Sequence, residues 1–217
     1  MNKDSLFGTL LQVRKLNRDL SYQDEWGLQD SSLESYLASF KDIITQDELV
    51  QIMDKNKGYQ ATLDLMGSGS AWEDTSVDAI LGVTLSDKDY SIDRRTVLGG
   101  DVLSKKTWKR IRSYLNDKEL EGFNIITCRP EGGIHTLPDN KDLFGYLLSE
   151  AVSLLHEGGV LLTQLPGSLS HETSRLVSQQ LVEDIEAKMG VSVYYQSSQS
   201  FGLPSKISAI RVDKLVS

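Results

Sequence analysis

Ala61-Thr62-Leu63-Asp64-Leu65-Met66-Gly67-Ser68-Gly69-Ser70 passes from an apolar run directly into a glycine turn. Five or six residues of this kind read as a buried strand, and a turn without side chains lets backbone N–H groups approach a ligand carboxylate or phosphate. The nicotinamide fingerprint GxGxxG fails, because Trp72 occupies its third glycine position and an indole obstructs the close helix-to-strand packing that glycine permits. The P-loop pattern fails as well, since no Gly-Lys-Ser/Thr follows. What remains is a looser glycine turn with an acid just upstream. Asp64 either orders the turn, by accepting backbone hydrogen bonds, or faces the ligand.

Outward from this stretch, short apolar runs alternate with helical patterns, the signature of βα units feeding a mainly parallel sheet. After Ala61 to Met66 come Ala79 to Leu85, Thr96 to Leu98, Phe123 to Cys128, Val160 to Leu165, Val191 to Gln196 and Lys206 to Val212, seven strand candidates in all. Between the fourth and fifth, Leu143, Leu147, Ala151, Leu154 and Leu155 recur at helical spacing, and Gly158-Gly159 reads as the left-handed stop. A second helix is expected from Ser170 to Met189, ending at Gly190. The Gly202 to Pro204 loop is too short for a parallel crossover, so the last two strands form an antiparallel hairpin. The expected fold is therefore α/β: a Rossmann-like, seven-stranded, mostly parallel sheet with a C-terminal antiparallel hairpin and helices on both faces.

Residues 1–57 read as a polar, helical N-terminal segment, a cap or lid ahead of a Rossmann-like domain over 58–217. Two capping boxes, Ser31 to Glu34 and Thr45 to Glu48, open amphipathic helices that must each dock on something. The stretch from Arg14 to Gln29 shows neither helical nor strand period and reads as a loop or extended segment beside the mouth of a site.

The 217 residues suffice for one large domain, and 39% hydrophobic with 25% charged residues is ordinary for a globular protein. A net charge of -8 and a pI near 4.9 argue against bulk nucleic-acid binding, which is built from Lys and Arg. One basic cluster, Arg94, Arg95, Lys105, Lys106, Lys109, Arg110 and Arg112, is either a local patch or a solvated helix face beside acidic neighbours. The single cysteine, Cys128, excludes an intrachain disulfide, and no stretch approaches the ~20 apolar residues of a membrane span. With no signal peptide legible around Leu6 to Leu11, a cytoplasmic location is expected. The three histidines and one cysteine have no metal-ligand spacing. His156 is expected at a helix C-terminus and His171 at the start of the next helix.

From Ala61 to Val212 the chain resembles the class I S-adenosylmethionine-dependent methyltransferases. Asp64 to Gly69 is similar to that family's first motif. Leu155-His156-Glu157-Gly158-Gly159-Val160-Leu161-Leu162 resembles the approach to its fifth strand, and the closing hairpin resembles its sixth and seventh strands. The resemblance implies S-adenosylmethionine as cofactor, held at the ends of the first four strands. Gly67, Ser68 and Gly69 would line the methionine part, Thr84 would meet the ribose, Asp101 and Val102 the adenine, and Cys128 would lie beneath the cofactor. Asp101 also reads as an N-cap for the helix from Lys105 to Leu115, and Cys128 as a packed small hydrophobe.

Two positions depart from the family. Thr84 stands where an acid usually binds the ribose hydroxyls, although Asp87 or Asp89 lies close enough in sequence to reach back, and Met66 stands at the first glycine position. After the fourth strand, Arg129 is suited to pair with an anionic acceptor, and Glu131 or His135 to take a proton as the acceptor attacks; a glycine-rich surface loop with solvated charges is the plain alternative. The family's amine-methylating Asn-Pro-Pro-Tyr motif is absent. Two functions follow: methyl transfer to a small acceptor, for which Arg129 suits an anionic one, or a degenerate methyltransferase fold serving as a binding or scaffold module. The amino-terminal helices would supply acceptor specificity or a homodimer contact.

Overall fold

Strand β1 (Ala61–Leu65) is buried along its whole length, as expected of a central strand covered on both faces. The computed structural model describes residues 32–55, 58–85, 88–130, 134, 137, 141–165, 183–199 and 206–216. Around β1 the sheet adds β2 (Ala79–Thr84), β3 (Tyr90–Ile92), β4 (Arg95–Gly99), β5 (Phe123–Cys128), β6 (Leu155–Gln164), β7 (Val191–Gln199) and β8 (Lys206–Lys214). The order is β3-β4-β2-β1-β5-β6-β8-β7. β4, β2, β1, β5 and β6 are parallel neighbours, and β3, β7 and β8 pair antiparallel.

Among the described residues the sheet has one strand more than the seven read from the sequence. The addition, β3, is a three-residue edge strand of half-buried and exposed residues, turned back onto β4 through Asp93 at φ 50. So short a run carries no alternation to read. The closing hairpin is antiparallel as expected, with Val191 opposite Lys214 and Val193 opposite Val212; its Gly202 to Pro204 loop lies outside the described residues.

Alternation along the strands feeds two cores. One face of the sheet contributes Leu63, Leu81, Val83, Ile126 and Leu161 to a cluster with helices α3 (Lys105–Asp117) and α4 (Lys141–Ser153), through Trp108, Ile111, Leu143 and Leu147. The other contributes Ile80, Ile125, Val160, Leu162 and Ala209, covered by α1 (Leu33–Ser39), α2 (Gln46–Lys55) and the turn between them through Tyr36, Phe40, Ile44, Leu49 and Met53. The amphipathic helices ahead of β1 are thus docked on the sheet. Arg211 of β8 ties them there, donating to the Ile43 carbonyl and to Glu48, both at 3.1 Å, while Asp213 holds its guanidinium at 2.7 Å.

Local corrections follow from geometry. The Thr45 to Glu48 capping box forms, with the Thr45 N–H donating to the Glu48 carboxylate at 2.9 Å and the Glu48 N–H to the Thr45 hydroxyl at 3.2 Å. The N-cap of α1 is Ser32, whose hydroxyl accepts from the Ser35 N–H at 3.2 Å, and not Ser31. Helix α4 ends at Ser153, and Leu155, already in β6, pairs with Phe123 of β5. The register then shifts so that Ile125 faces Val160; Gly158, at φ 74, serves this irregularity and is no helix stop. His156 accordingly lies on a strand, 3.5 Å from Glu121, and not at a helix terminus. Of the helix read from Ser170 to Met189, residues 183–189 are helical and end at Gly190 (φ 63), whose N–H donates to the Glu186 carbonyl at 3.1 Å. Its start, with His171, and the Arg14 to Gln29 stretch lie outside the described residues.

Candidate functional site

The chain leaves β1 for β2 on one side, while β5 flanks β1 on the other. Between β1 and β5 the order of the sheet therefore reverses, and ligands of open α/β sheets bind beyond the carboxyl ends of the strands at such a point. The β1-to-β2 connection, residues 66–78, contains one turn of 3-10 helix (Ser70–Trp72). Trp72 is fully buried beneath it, in the same core cluster as α1 and α2.

Three glycines give the turn its shape. A Cβ on Gly67 would overlap the Asp64 carboxylate. Gly69 sits at φ 77, and its Cβ would stand 2.6 Å from Ile80. Gly82, in the middle of β2, has the Ser68 carbonyl group 2.5 Å from where its Cβ would be, so the turn folds back onto strand backbone. Met66 adopts φ 62 without being glycine. The position at which the resemblance expects glycine is thus a left-handed one, occupied here by a residue for which that region is uncommon.

Asp64 is 1% exposed. Its carboxylate accepts from the Gly69 N–H at 2.9 Å, the Thr127 hydroxyl at 3.1 Å and the Tyr36 hydroxyl at 3.0 and 3.2 Å. The Trp72 indole N–H donates in turn to Thr127 at 3.4 Å. Of the two readings of Asp64, the turn-ordering hydrogen bond is present. Burial pushes its carboxyl up to about 6, against the hydrogen bonds from Gly69, Tyr36 and Thr127 and the nearby Arg129 charge, which favour the ionised form.

At the end of β2, Thr84 is buried, its carbonyl accepts from the Gly100 N–H at 2.7 Å, and its hydroxyl has no hydrogen-bond partner among the described residues. Asp89 is engaged elsewhere: Arg110 and the Gly99 N–H (2.9 Å) donate to its carboxylate and hold it below the usual range. Asp87 lies outside the described residues. Asp101 follows β4 and accepts from the Leu103 N–H at 2.8 Å. It is not the N-cap of α3; Ser104 is, accepting from the Lys106 N–H at 3.3 Å. Val102 is buried, and its carbonyl accepts from the Trp108 indole at 2.7 Å.

Cys128 is 2% exposed within the α3/α4 core, and burial pushes its thiol up to about 12. That is the state of a packed, unreactive cysteine. Arg129 is also buried; its N–H donates to the Leu65 carbonyl at 2.9 Å, and its charge acts on Asp64. Glu131 and His135 lie outside the described residues. Among the described residues no group of His, Cys, Asp and Glu could hold a metal, and no helix is long and apolar enough to cross a membrane.

The basic cluster divides into paired and solvated groups. Arg94 donates to the Val77 carbonyl at 2.6 Å and to the Glu73 carbonyl, Arg95 pairs with Glu73 at 2.8 Å, Arg110 with Asp89, and Arg112 with Glu150 at 2.6 Å. Lys105, Lys106 and Lys109 are exposed. Sequence reasoning missed three residues that shape the site: Tyr36, Thr127 and Gly82. Only Gly82 carried a local signal, since a glycine inside a strand often marks close backbone approach.

This strand order, closed by an antiparallel pair, is that of the class I S-adenosylmethionine-dependent methyltransferase fold. The chain is similar in structure to the N-methyltransferase NodS from Bradyrhizobium japonicum WM9, in complex with S-adenosyl-L-homocysteine, over 93% of this chain and 97% of that one, with 14% identity and a TM-score of 0.51. An O-methyltransferase from Bacillus cereus, also in complex with S-adenosylhomocysteine, aligns over 92% of this chain and 97% of its own, with 15% identity and a TM-score of 0.46. At these identities the likeness is one of fold. No protein-family model and no curated protein sequence matches the chain.

Proposed function

We propose that the protein transfers a methyl group from S-adenosylmethionine to a small, anionic acceptor. The observation that carries this reading is the glycine turn at the switch point: bare backbone at Gly67 and Gly69, seated on Gly82, with the Thr84 hydroxyl, which has no partner among the described residues, at the neighbouring strand end. A buried hydroxyl without a partner is costly unless a ligand satisfies it, and bare backbone in a tight turn suits a polar ligand. NodS, of the same fold, was crystallised with S-adenosylhomocysteine.

In this reading Gly67, Ser68 and Gly69 hold the methionine part and Thr84 hydrogen-bonds the ribose. Asp101 and Val102 meet the adenine, and Cys128 forms the apolar floor. The sulfonium of the bound cofactor supplies an already electrophilic methyl, so the protein's task is to position the acceptor in line with it. Arg129 provides the cation for an anionic acceptor, and Glu131 or His135 takes the acceptor's proton. Residues 1–57 shape the acceptor side.

Calorimetric titration with S-adenosylmethionine and S-adenosylhomocysteine, against NAD and NADP, tests the cofactor. Selective binding of the first pair is expected; binding of none would favour a scaffold module, the reading that neutral Thr84 and strained Met66 support. Once an acceptor is in hand, Arg129→Gln and Glu131→Gln should lower its turnover at least tenfold, and unchanged turnover would refute the acceptor side.

A further inference from the structure

We infer that Tyr36 is a positioning residue for the glycine turn: its hydroxyl holds the carboxylate that holds the Gly69 N–H, so that docking of α1 and formation of the turn are one event. The chain of contacts is short and buried. Tyr36 is 3% exposed, its hydroxyl donates to both Asp64 oxygens at 3.0 and 3.2 Å, and Asp64 Oδ2 accepts from the Gly69 N–H at 2.9 Å. Gly69 carries the left-handed φ that reverses the chain. Asp64 also touches the side of Gly67 on which a Cβ would lie, so one carboxylate sets both glycines.

Without the tyrosine the carboxylate would lose one of its three hydrogen-bond donors in a water-excluded site, where an unsatisfied charge is costly. The groups facing Asp64 from the packed elements are Tyr36 from α1, Thr127 and Cys128 from β5, and Arg129 just beyond it. Helix α1, twenty-eight residues away in sequence, is therefore part of the ligand-binding turn. That the turn holds S-adenosylmethionine rests on the function proposed above; that Tyr36 sets its shape does not.

The test uses the full chain. In the parent, amide exchange by NMR should give the Gly69, Phe40 and Ile44 N–H groups similar opening equilibria, and a Gly69 amide opening tenfold or more independently of α1 would overturn the inference. In Tyr36→Phe, which keeps the buried ring, Gly69 protection should fall at least tenfold. The carbon-detected titration of Asp64 should move to higher pH, because a donor to its ionised form is gone. Phe40→Leu, which loosens α1 packing without touching the carboxylate, should leave that midpoint in place. Unchanged Gly69 protection and an unchanged Asp64 midpoint in Tyr36→Phe would overturn the coupling. These readouts need no ligand. Parent protein that fails to bind S-adenosylhomocysteine, while Tyr36→Phe still loosens Gly69, would sink the cofactor assignment and leave the coupling standing. If the parent binds, affinity in Tyr36→Phe should fall about tenfold.

Discussion

Gly82 and Ser68 meet backbone to backbone: a Cβ on Gly82 would stand 2.5 Å from the Ser68 carbonyl carbon and oxygen, and 2.9 Å from the Gly67 oxygen. Both neighbours are main chain, so neither can rotate away. Gly82→Ala must push the turn off the sheet or bend β2, at a cost of about 1–3 kcal/mol, typical of overpacking, and it should weaken cofactor binding in parallel. Gly145→Ala is the matched control. That glycine lies inside α4 with nothing within 4 Å of its Cβ position, so alanine there should stabilise by about 0.5–1 kcal/mol. Urea denaturation of the two variants, read beside the parent, decides whether close approach or simple glycine entropy governs each site.

Asp64 makes a signed pH prediction. Its carboxyl titrates at about 6 in the folded protein against an ordinary 3.8, so between these values the native state binds more protons than the unfolded chain. The sign is unusual for an acid. Stability from this group is full below about pH 4 and is lost as pH rises through about 6. Asp64→Asn keeps the shape and removes the titration. The Gly69 N–H still finds the amide oxygen, and the Tyr36 or Thr127 hydroxyl can turn to accept. The stability difference between parent and Asp64→Asn should move by about 2 kcal/mol in the variant's favour between pH 4.5 and 7.5. A difference that stays flat over that range would show that Asp64 does not titrate there.

What the sequence disclosed and what it hid divide by range. Strands β1, β2 and β5 were legible because each is a short apolar run, buried on both faces, and the closing hairpin because its loop is too short to cross over. The turn was legible because glycines mark backbone that needs room. Strand β3 was not: Tyr90-Ser91-Ile92 is shorter than the roughly four to eight residues over which alternation can be read. Tyr36 was hidden for a different reason. In a helical pattern it counts as one more apolar position, and only the tertiary fold brings its hydroxyl to Asp64. The N-cap of α1 went to Ser32, with Ser31 the wrong choice, because two adjacent serines are equivalent in sequence until the backbone selects one.

Met66 tests whether the departure from glycine matters. At φ 62 a methionine pays a steric penalty of about 1–2 kcal/mol, while its side chain packs against the α3/α4 core. Met66→Gly exchanges one for the other and should leave stability within about 1 kcal/mol of the parent. Met66→Val, β-branched in a left-handed position, should lose about 1–3 kcal/mol. Thermal denaturation of the pair separates backbone strain from packing, and equal losses in both variants would mean that packing alone governs the site.

Thr84 allows stability and binding to be driven in opposite directions by one substitution. Its hydroxyl is buried with no partner among the described residues, although the site lies at a strand end where ligands of this fold class bind. Valine has nearly the same shape and no polar atom, so Thr84→Val removes an unsatisfied group and should raise the stability of the ligand-free protein by about 1 kcal/mol. The same change deletes the hydrogen bond that the proposed reading assigns to the ribose, and S-adenosylhomocysteine affinity should fall by roughly fivefold to tenfold, as for a net loss of about 1 kcal/mol. A merely structural threonine would give the opposite pairing, lower stability with affinity unchanged. Denaturation and calorimetry on the same preparation therefore distinguish a hydroxyl kept for a ligand from one kept for the fold. Thr84→Asp adds the converse: a carboxylate there should tighten cofactor binding, since hydrogen bonds to a charged acceptor are roughly twice as strong as those to a neutral one, while the buried, unpaired charge destabilises the ligand-free protein.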